Sequence, residues 1–175
     1  HWMNNNSKAQ AKKNISHHYD LGNDFYSLWL DDTMTYSSAL FKTGQEDLEK
    51  AQLQKYASMV DQMDVQPGDH VLEIGCGWGG FAEYAAKERG LKVTGLTISQ
   101  EQYDYAVARM EREALSDKVD IKLQDYRDET GLYDGIASIE MFEAVGEQYW
   151  PSYFDTLHRC LKPGGTGPDN QNTGL

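Results

Sequence analysis

The stretch that most constrains how this chain can fold is residues 70–80, with the sequence HVLEIGCGWGG. A short apolar run enters a cluster of glycines, and a helical pattern over 81–89 follows and stops at Gly90, an order typical of a buried strand, a tight turn and a helix. Glycine is needed where φ is positive or where a ligand approaches the main chain, and a helix start presents free N–H groups. The stretch therefore predicts a turn that binds a nucleotide-like ligand.

The glycine spacing leaves two classes of ligand open. The glycines that begin at Gly75 fit the dinucleotide pattern GxGxxG, and the same region preceded by Glu73 fits ExGxGxG, the pattern of S-adenosylmethionine (SAM) methyltransferases. A carboxylate at Glu73 would oppose the pyrophosphate of a dinucleotide. The acidic residue that a dinucleotide site requires about 20 residues further on is absent from 96–99. SAM is therefore favoured, and a turn that binds nothing is the remaining alternative.

Length and composition exclude several classes of protein. The chain has 175 residues, which suits one domain with its own core. It carries 16 basic and 28 acidic side chains, a net charge of −12, which argues against nucleic acid and against electrostatic attraction to anionic lipid. No apolar run approaches the ~20 residues of a membrane-spanning helix, and no signal peptide is visible. The two cysteines predict neither a metal cluster nor a disulfide framework, and they fit a cytoplasmic location.

The region before the glycine turn is predicted to be a helical cap over 16–64, preceded by a disordered lead or added residues at 1–15. An aromatic-rich segment at 19–30 predicts two short helices that pack on the core; the less favoured use is as a lid over an apolar substrate, with transient contact to a membrane surface. Over 45–63 the apolar residues fall mostly on one helical face, which predicts a helix with Lys55 and other charged side chains on the solvent face.

Strands and helices alternate in the second half, which predicts a Rossmann-like core of the α/β class over 65–165. Ser99 and Gln102 fit a capping box at the start of a helix. The alternation predicts a doubly wound, mostly parallel sheet in the order 3-2-1-4, with ligands at the carboxyl ends of the strands. After the strand at 70–74, strands are expected at 91–98, 119–123 and 133–139, and helices at 100–114 and 150–161.

Five segments give the chain a specific resemblance. They are HYDLGNDFY at 18–26, TMTYSSALF at 33–41, VLEIGCGWGG at 71–80, GLTISQEQ at 95–102 and SIEMFE at 138–143. With these segments the chain resembles the cyclopropane fatty acid synthases, including their mycolic-acid-modifying relatives, over about 16–165. Many methyltransferases share the glycine motif, whereas the Tyr-Ser-Ser loop combined with LTISxxQ is much more specific.

The resemblance implies a class I SAM-methyltransferase fold and a reaction. The π bond of a cis-unsaturated phospholipid acyl chain attacks the methyl group of SAM, a carbocation forms, and loss of a methyl proton closes a cyclopropane ring. The site must supply a dry apolar channel, a base and groups that tolerate transient positive charge. Bicarbonate held in the site is thought to be the base in this family. The implied cofactors are thus SAM and bicarbonate, and the implied partners are unsaturated phospholipid acyl chains.

The resemblance also implies which residues hold SAM. An Asp can accept the amino hydrogens of adenine, and a Tyr can stack on its ring. Three assignments keep ordinary alternatives: Gln102 as half of a capping box, Tyr36 and Ser37 as polar loop residues, and Asp125 as a turn residue. The implied set is Tyr36, Ser37, Gly75 and Gly77 at the methionine end, Glu73 ordering the turn, Thr97, Ile98 and Gln102 near the ribose, and Asp125 and Tyr126 at the adenine.

For bicarbonate the resemblance implies Ser38, the main chain of Ile139, and Glu143 as the catalytic positions. Many members of the family have Cys where this chain has Ser38, and a serine hydroxyl can still donate a hydrogen bond to an oxyanion. Glu143 has an alternative role as a helix-start carboxylate favoured by the helix dipole.

The resemblance ends near residue 165. Members of the family continue with a fifth strand and an antiparallel pair, whereas 166–175 is polar and turn-forming and is predicted to be an irregular tail. The chain is therefore expected to be truncated, with the fourth strand as an open edge at which a homo-oligomer could form. Two other functions stay open: a SAM methyltransferase for an amine or another fatty-acid position, and a non-catalytic SAM-binding fragment.

Overall fold

The computed structural model describes residues 34–35, 37–139 and 149–166. Within these ranges no helix is long and apolar enough to cross a membrane. The aromatic segment predicted at 19–30 lies outside them. The helices are α1 Leu48–Gln62, α2 Gly80–Glu88, α3 Gln100–Arg112 and α4 Trp150–Cys160, the strands are β1 His70–Ile74, β2 Lys92–Thr97, β3 Val119–Leu123, β4 Tyr133–Ser138 and β5 Leu161–Thr166, and a 3₁₀ helix spans Tyr126–Asp128.

The described strands form one parallel sheet in the order β3-β2-β1-β4-β5. The predicted doubly wound parallel sheet is therefore confirmed. Helices α1, α2 and α3 pack on the face that carries Val71 and Val93, and α4 packs on the face that carries Leu72 and Ile136. The strand order reverses between β1 and β4. In sheets of this kind the crevice for a ligand opens at that point, beyond the carboxyl ends of the strands.

The end of the described chain differs from the prediction. The helix expected over 150–161 ends before Leu161, and Leu161–Thr166 form β5, which was not predicted and which pairs in parallel with β4. Pro163 is tolerated because β5 pairs only with β4 in the described ranges and its register is irregular there. The prediction that β4 is an open edge is therefore wrong: in these ranges the edge on that side of the sheet is β5, and β3 forms the other edge.

Gly95 in β2 has no room for a side chain. A Cβ there would lie 2.9 Å from Ile121 Cδ1 and 3.0 Å from Cys76 Cβ. We expect Gly95→Ala to lower the free energy of unfolding by about 2 kcal/mol, because these neighbours are held by the sheet and the glycine turn. At Gly135 the contacts at 3.1 Å include the flexible thioether of Met63, so Gly135→Ala should cost clearly less. Urea unfolding measures both losses, and equal losses would contradict this interpretation.

Candidate functional site

The glycine turn after β1 is shaped by positive φ angles. Gly75, Gly77 and Gly79 have φ values of 79°, 53° and 86°. Residues other than glycine rarely adopt positive φ angles of this kind. The N–H groups of Gly75 and Cys76 both donate to Leu96 O at 2.9 Å, which ties the turn to the end of β2. Helix α2 begins directly behind the turn, so its first N–H groups are available to a polar ligand.

Two glycines of the turn serve different purposes. A Cβ at Gly79 would lie 3.0 Å from Met110 Cε and 3.3 Å from Ala106 Cβ, so this glycine lets α3 pack closely. Among the described residues, and apart from its chain neighbours, no atom lies within 4 Å of the position that a Cβ would take at Gly77. Gly77 therefore leaves an open space beside the main chain that a ligand can enter.

Glu73 lies next to the turn, in β1, and only 2% of the residue is exposed. Its Oε2 atom has no hydrogen-bond partner in the described part of the chain. Burial raises the pKa of this carboxyl well above its usual range, and the cations Lys55 and Arg109 offset part of the rise. A buried carboxylate with an unused oxygen suits a ligand that brings positive charge, and it would repel a pyrophosphate.

The raised pKa of Glu73 predicts how stability depends on pH. The folded chain keeps this proton at pH values at which the unfolded chain, with a value of 4.5, has lost it, so stability falls as pH rises from 4.5 through the folded pKa. Glu73→Gln removes this loss. We expect the free energy of unfolding of the variant, relative to that of the wild type, to rise by about 1 kcal/mol or more between about pH 5 and about pH 8. Urea unfolding at a series of pH values measures this difference. A difference in free energy of unfolding that stays constant with pH would contradict this prediction. So would the same pH-dependent difference in the control variant Glu111→Gln, at an exposed position.

Helix α1 holds the loop that carries Ser37 and Ser38. Gln52 Nε2 donates to Ser37 O at 2.9 Å, and Lys55 Nζ donates to Ser38 O at 2.9 Å and to the hydroxyl of Ser37. The prediction that Lys55 lies on the solvent face is therefore wrong, because its ammonium is used by the loop. Tyr36, which is predicted to bind SAM, lies outside the described residues.

The residues predicted near the ribose are linked by hydrogen bonds at the end of β2. Ser99 Oγ accepts from the Gln102 N–H at 3.3 Å, as the capping box predicts. The side chain of Gln102 does not complete the box: its Oε1 accepts from Thr97 Oγ1 at 2.9 Å, and the Ser99 N–H donates to the same hydroxyl at 3.2 Å. The Thr97 hydroxyl thus takes the place of the Gln102 side chain as the acceptor for the Ser99 N–H. It also orients the Gln102 side chain at the end of the strand, beside Ile98.

The two residues predicted at the adenine, Asp125 and Tyr126, follow β3 and already have protein partners. Asp125 Oδ1 accepts from Arg127 Nε at 2.8 Å, and Oδ2 accepts from Arg127 Nη2 at 2.6 Å. Tyr126 is 8% exposed and packs edge to face on Tyr153, with ring centroids 5.4 Å apart. Arg127 thus engages both carboxylate oxygens of Asp125, and the ring of Tyr126 belongs mainly to the core. No sequence motif indicated that Arg127 would pair with Asp125.

The predicted catalytic positions are only partly described. Ile139 directly follows β4 and is partly buried, and Ser38 lies in the loop held by Lys55. Glu143 lies outside the described residues. The carboxyl ends of parallel strands share one edge of the sheet, so the positions after β1, β2, β3 and β4 meet there.

A parallel sheet in this order, with a glycine turn and a buried acid at the end of β1, defines the class I SAM-methyltransferase fold. Within that class the chain belongs to the mycolic acid cyclopropane synthetase family, whose model matches residues 6–167. The resemblance expected from the sequence motifs is thereby confirmed.

Individual relatives are similar over most of this chain. It is 44% identical over 163 residues to the cyclopropane-fatty-acyl-phospholipid synthase of Escherichia coli, covering 93% of this chain and 41% of that protein. It is 43% identical over 166 residues to the tuberculostearic acid methyltransferase UfaA1 of Mycobacterium tuberculosis, covering 91% and 39%. The solved mycolic acid cyclopropane synthase CmaA1, complexed with SAH and CTAB, superposes with a TM-score of 0.83 at 32% identity, covering 86% and 53%. The chain thus spans about two fifths of the length of these curated relatives.

Proposed function

We propose that this chain is part of a SAM-dependent methyltransferase that adds a methylene across the cis double bond of unsaturated phospholipid acyl chains. The proposal depends on two features found together: the open space beside Gly77, and the buried Oε2 atom of Glu73, which has no hydrogen-bond partner among the described residues. The family membership supports it, as do the relatives that are named for this reaction. The domain that acts is proposed to be 16–165, with a cap over 16–64 and a core over 65–165.

The described residues fit SAM. Bound SAM would supply an electrophilic methyl group on a positively charged sulfonium. Gly75 and Gly77 would let its methionine end approach the main chain, and the negative charge of the Glu73 carboxylate would attract its positive charge. Ser37 would contact the same end, together with Tyr36. Thr97, Ile98 and Gln102 would hold the ribose, and Asp125 would accept from the adenine, with Tyr126 beside it as packing.

We propose that bicarbonate, as the base, binds between Ser38, the main chain of Ile139, and Glu143. The ammonium of Lys55 supports this assignment, because its hydrogen bond to Ser38 O places a positive charge beside the proposed anion. A serine hydroxyl can donate to the same oxyanion. Loss of the methyl proton to this base would leave the acyl chain with a closed ring.

The proposed setting follows from the same chemistry. Acyl chains of phospholipid would be reached through transient contact with a membrane surface, in the cytoplasm, where the two buried free cysteines stay reduced. Association of two copies would use the free edge of β5.

The experiment incubates the chain with SAM and vesicles of cis-unsaturated phospholipid, and it follows the lipid by mass spectrometry and proton NMR. We expect acyl chains to gain one methylene and to show cyclopropane protons. Vesicles of saturated phospholipid are the control and should gain nothing. A gain of one methylene without a ring would instead support a second candidate, transfer of the methyl group to the acyl chain with loss of a proton that leaves a methylene branch, which the similarity to a tuberculostearic acid methyltransferase favours.

A further inference from the structure

One face of α1 carries polar side chains where a helix of this kind normally presents apolar ones. The buried stripe of α1 contains Ala51, Tyr56 and Val60, and residues three or four positions apart lie on the same face. Gln52 lies on that stripe, and Lys55, one turn after Ala51, lies at its edge and is partly buried. Gln52 is only 1% exposed, and burial of an amide without good hydrogen bonds costs free energy. A polar pair at these positions needs an explanation other than packing.

The explanation lies in Thr35, Ser37 and Ser38, which these side chains hold at several points. Gln52 Nε2 donates to Ser37 O at 2.9 Å, and Lys55 Nζ donates to Ser38 O at 2.9 Å and to the Ser37 hydroxyl. Tyr56, next on the same face, shares a hydrogen bond between its hydroxyl and Thr35 Oγ1. The Oε1 atom of Gln52 remains buried without a partner in the described part of the chain.

We propose that Gln52 and Lys55 are positioning residues that lock the Ser37–Ser38 loop in the arrangement that closes over SAM. This inference rests on the proposed function, because the loop then contributes Ser37 to the SAM site and Ser38 to the proposed bicarbonate site. The two residues act through the loop: Gln52 fixes its main chain, and Lys55 fixes both serines at once.

Lys55 has a second link to the site through Glu73. Among the described residues, the charged groups that act on the Glu73 carboxyl are Lys55 from α1 and Arg109 from α3, and Glu73 in turn helps to raise the pKa of the Cys76 thiol in the glycine turn. Burial raises the pKa of Glu73, and the charge of Lys55 opposes that rise. Arg109 is shared with Glu83, whose Oε2 accepts from its Nε at 2.5 Å. Lys55 therefore favours the ionised carboxylate that a cationic ligand requires.

The first test compares SAM dissociation constants by calorimetry across four variants. Lys55→Met keeps the length of the side chain without its charge, and it should raise Kd by about tenfold or more. Gln52→Leu should raise Kd several-fold, since it releases only Ser37. Lys55→Arg keeps the charge and should recover most of the affinity. Lys50→Met, at an exposed position of the same helix, is the matched control and should bind like the wild type. Equal affinity in Lys55→Met and Lys50→Met would overturn the proposal.

The second test needs no SAM, so it separates failure of this proposal from failure of the proposed function. The Leu40 N–H donates to Ala51 O at 3.1 Å, which makes its hydrogen exchange a reporter of loop docking. In the free chain, exchange at Leu40 should be about tenfold faster in Lys55→Met and in Gln52→Leu than in Lys50→Met. Unchanged exchange would overturn the proposal. If the folded wild type binds no SAM, the proposed function and the inference that rests on it both fail, whatever the exchange shows.

A pH profile distinguishes positioning from a merely structural role. If SAM binds to ionised Glu73, affinity falls on acidification with a midpoint at the pKa of that carboxyl. Lys55→Met should move the midpoint upward by about one pH unit or more, and Lys55→Arg should restore it. The same loss of affinity at every pH would overturn the link between Lys55 and Glu73.

Discussion

Gly77→Ala is expected to weaken SAM binding by about 100-fold while the chain still folds. Apart from its chain neighbours, no atom of the described residues lies within 4 Å of the position that the new methyl group would take, so the methyl projects into the space proposed for the ligand. Excluding a close main-chain contact in this way costs about 3 kcal/mol, which is about 100-fold in affinity. The φ of 53° adds about 1 kcal/mol of strain in the folded state. Calorimetric titration with SAM measures the first effect, and urea unfolding measures the second.

The turn before β1 offers a matched control for this variant. Gly68 also has a positive φ, 94°, and, apart from its chain neighbours, no atom of the described residues within 4 Å of a Cβ, but it lies at the amino end of β1, away from the proposed site. Gly68→Ala should therefore lose similar stability and bind SAM like the wild type. An equal loss of affinity in the two variants would show that backbone strain, not occlusion of the site, explains the effect at Gly77.

Glu129→Ala is expected to lower the free energy of unfolding by about 3 kcal/mol at neutral pH. The residue is 3% exposed, and its carboxylate accepts from Lys122 Nζ at 3.2 Å and Gln124 Nε2 at 3.0 Å. It also accepts from the Thr130 N–H at 3.1 Å and the Gly131 N–H at 2.8 Å. Removal of a carboxylate that serves this many donors leaves partly buried polar groups unpaired, which is the reason for the size of the loss.

The effect of Glu129 should also depend on pH, in the direction opposite to that of Glu73. Burial acts to raise the pKa of Glu129, but the hydrogen bonds from Gly131 and Lys122 outweigh it and lower the pKa. Its contribution is therefore present above the unfolded value of 4.5 and is lost as pH falls through the lower folded pKa. The gap between Glu129→Ala and the wild type should narrow on acidification. Asp120→Ala, at an exposed position of β3, is the control and should cost less than about 0.5 kcal/mol. A gap that widens on acidification would contradict this.

The fold was predictable where periodicity and glycine spacing act together. The strand at 70–74, the turn behind it and the order of β3, β2, β1 and β4 follow from local patterns that the packed sheet does not override. β5 was not predictable in this way, because Pro163 and the glycines after it indicate a turn. Pairing with β4 decides its conformation, and that is a long-range interaction that a local pattern does not contain.

The candidate site was predictable at its glycines and less so at its polar side chains. Glu73 followed from its place before the glycines, but its burial and its unused oxygen needed the packed sheet. Lys55 was placed wrongly because a charged residue normally marks the solvent face. The signal available was its spacing of one turn from Ala51, which puts it at the edge of the buried stripe that contains Gln52. A polar residue on an apolar stripe can mark a functional contact, and Arg127, in a loop without periodicity, gave no comparable signal.

The central claim is that the glycine turn beside Glu73 is a SAM site and not a dinucleotide site. Calorimetric titration of the folded wild-type chain with SAM and, separately, with NAD⁺ tests it most directly. We predict that SAM binds at one site per chain, that Gly77→Ala removes most of that binding, and that NAD⁺ gives no signal. Binding of NAD⁺ with an affinity like that of SAM, or no binding of SAM by the folded chain, would contradict the claim.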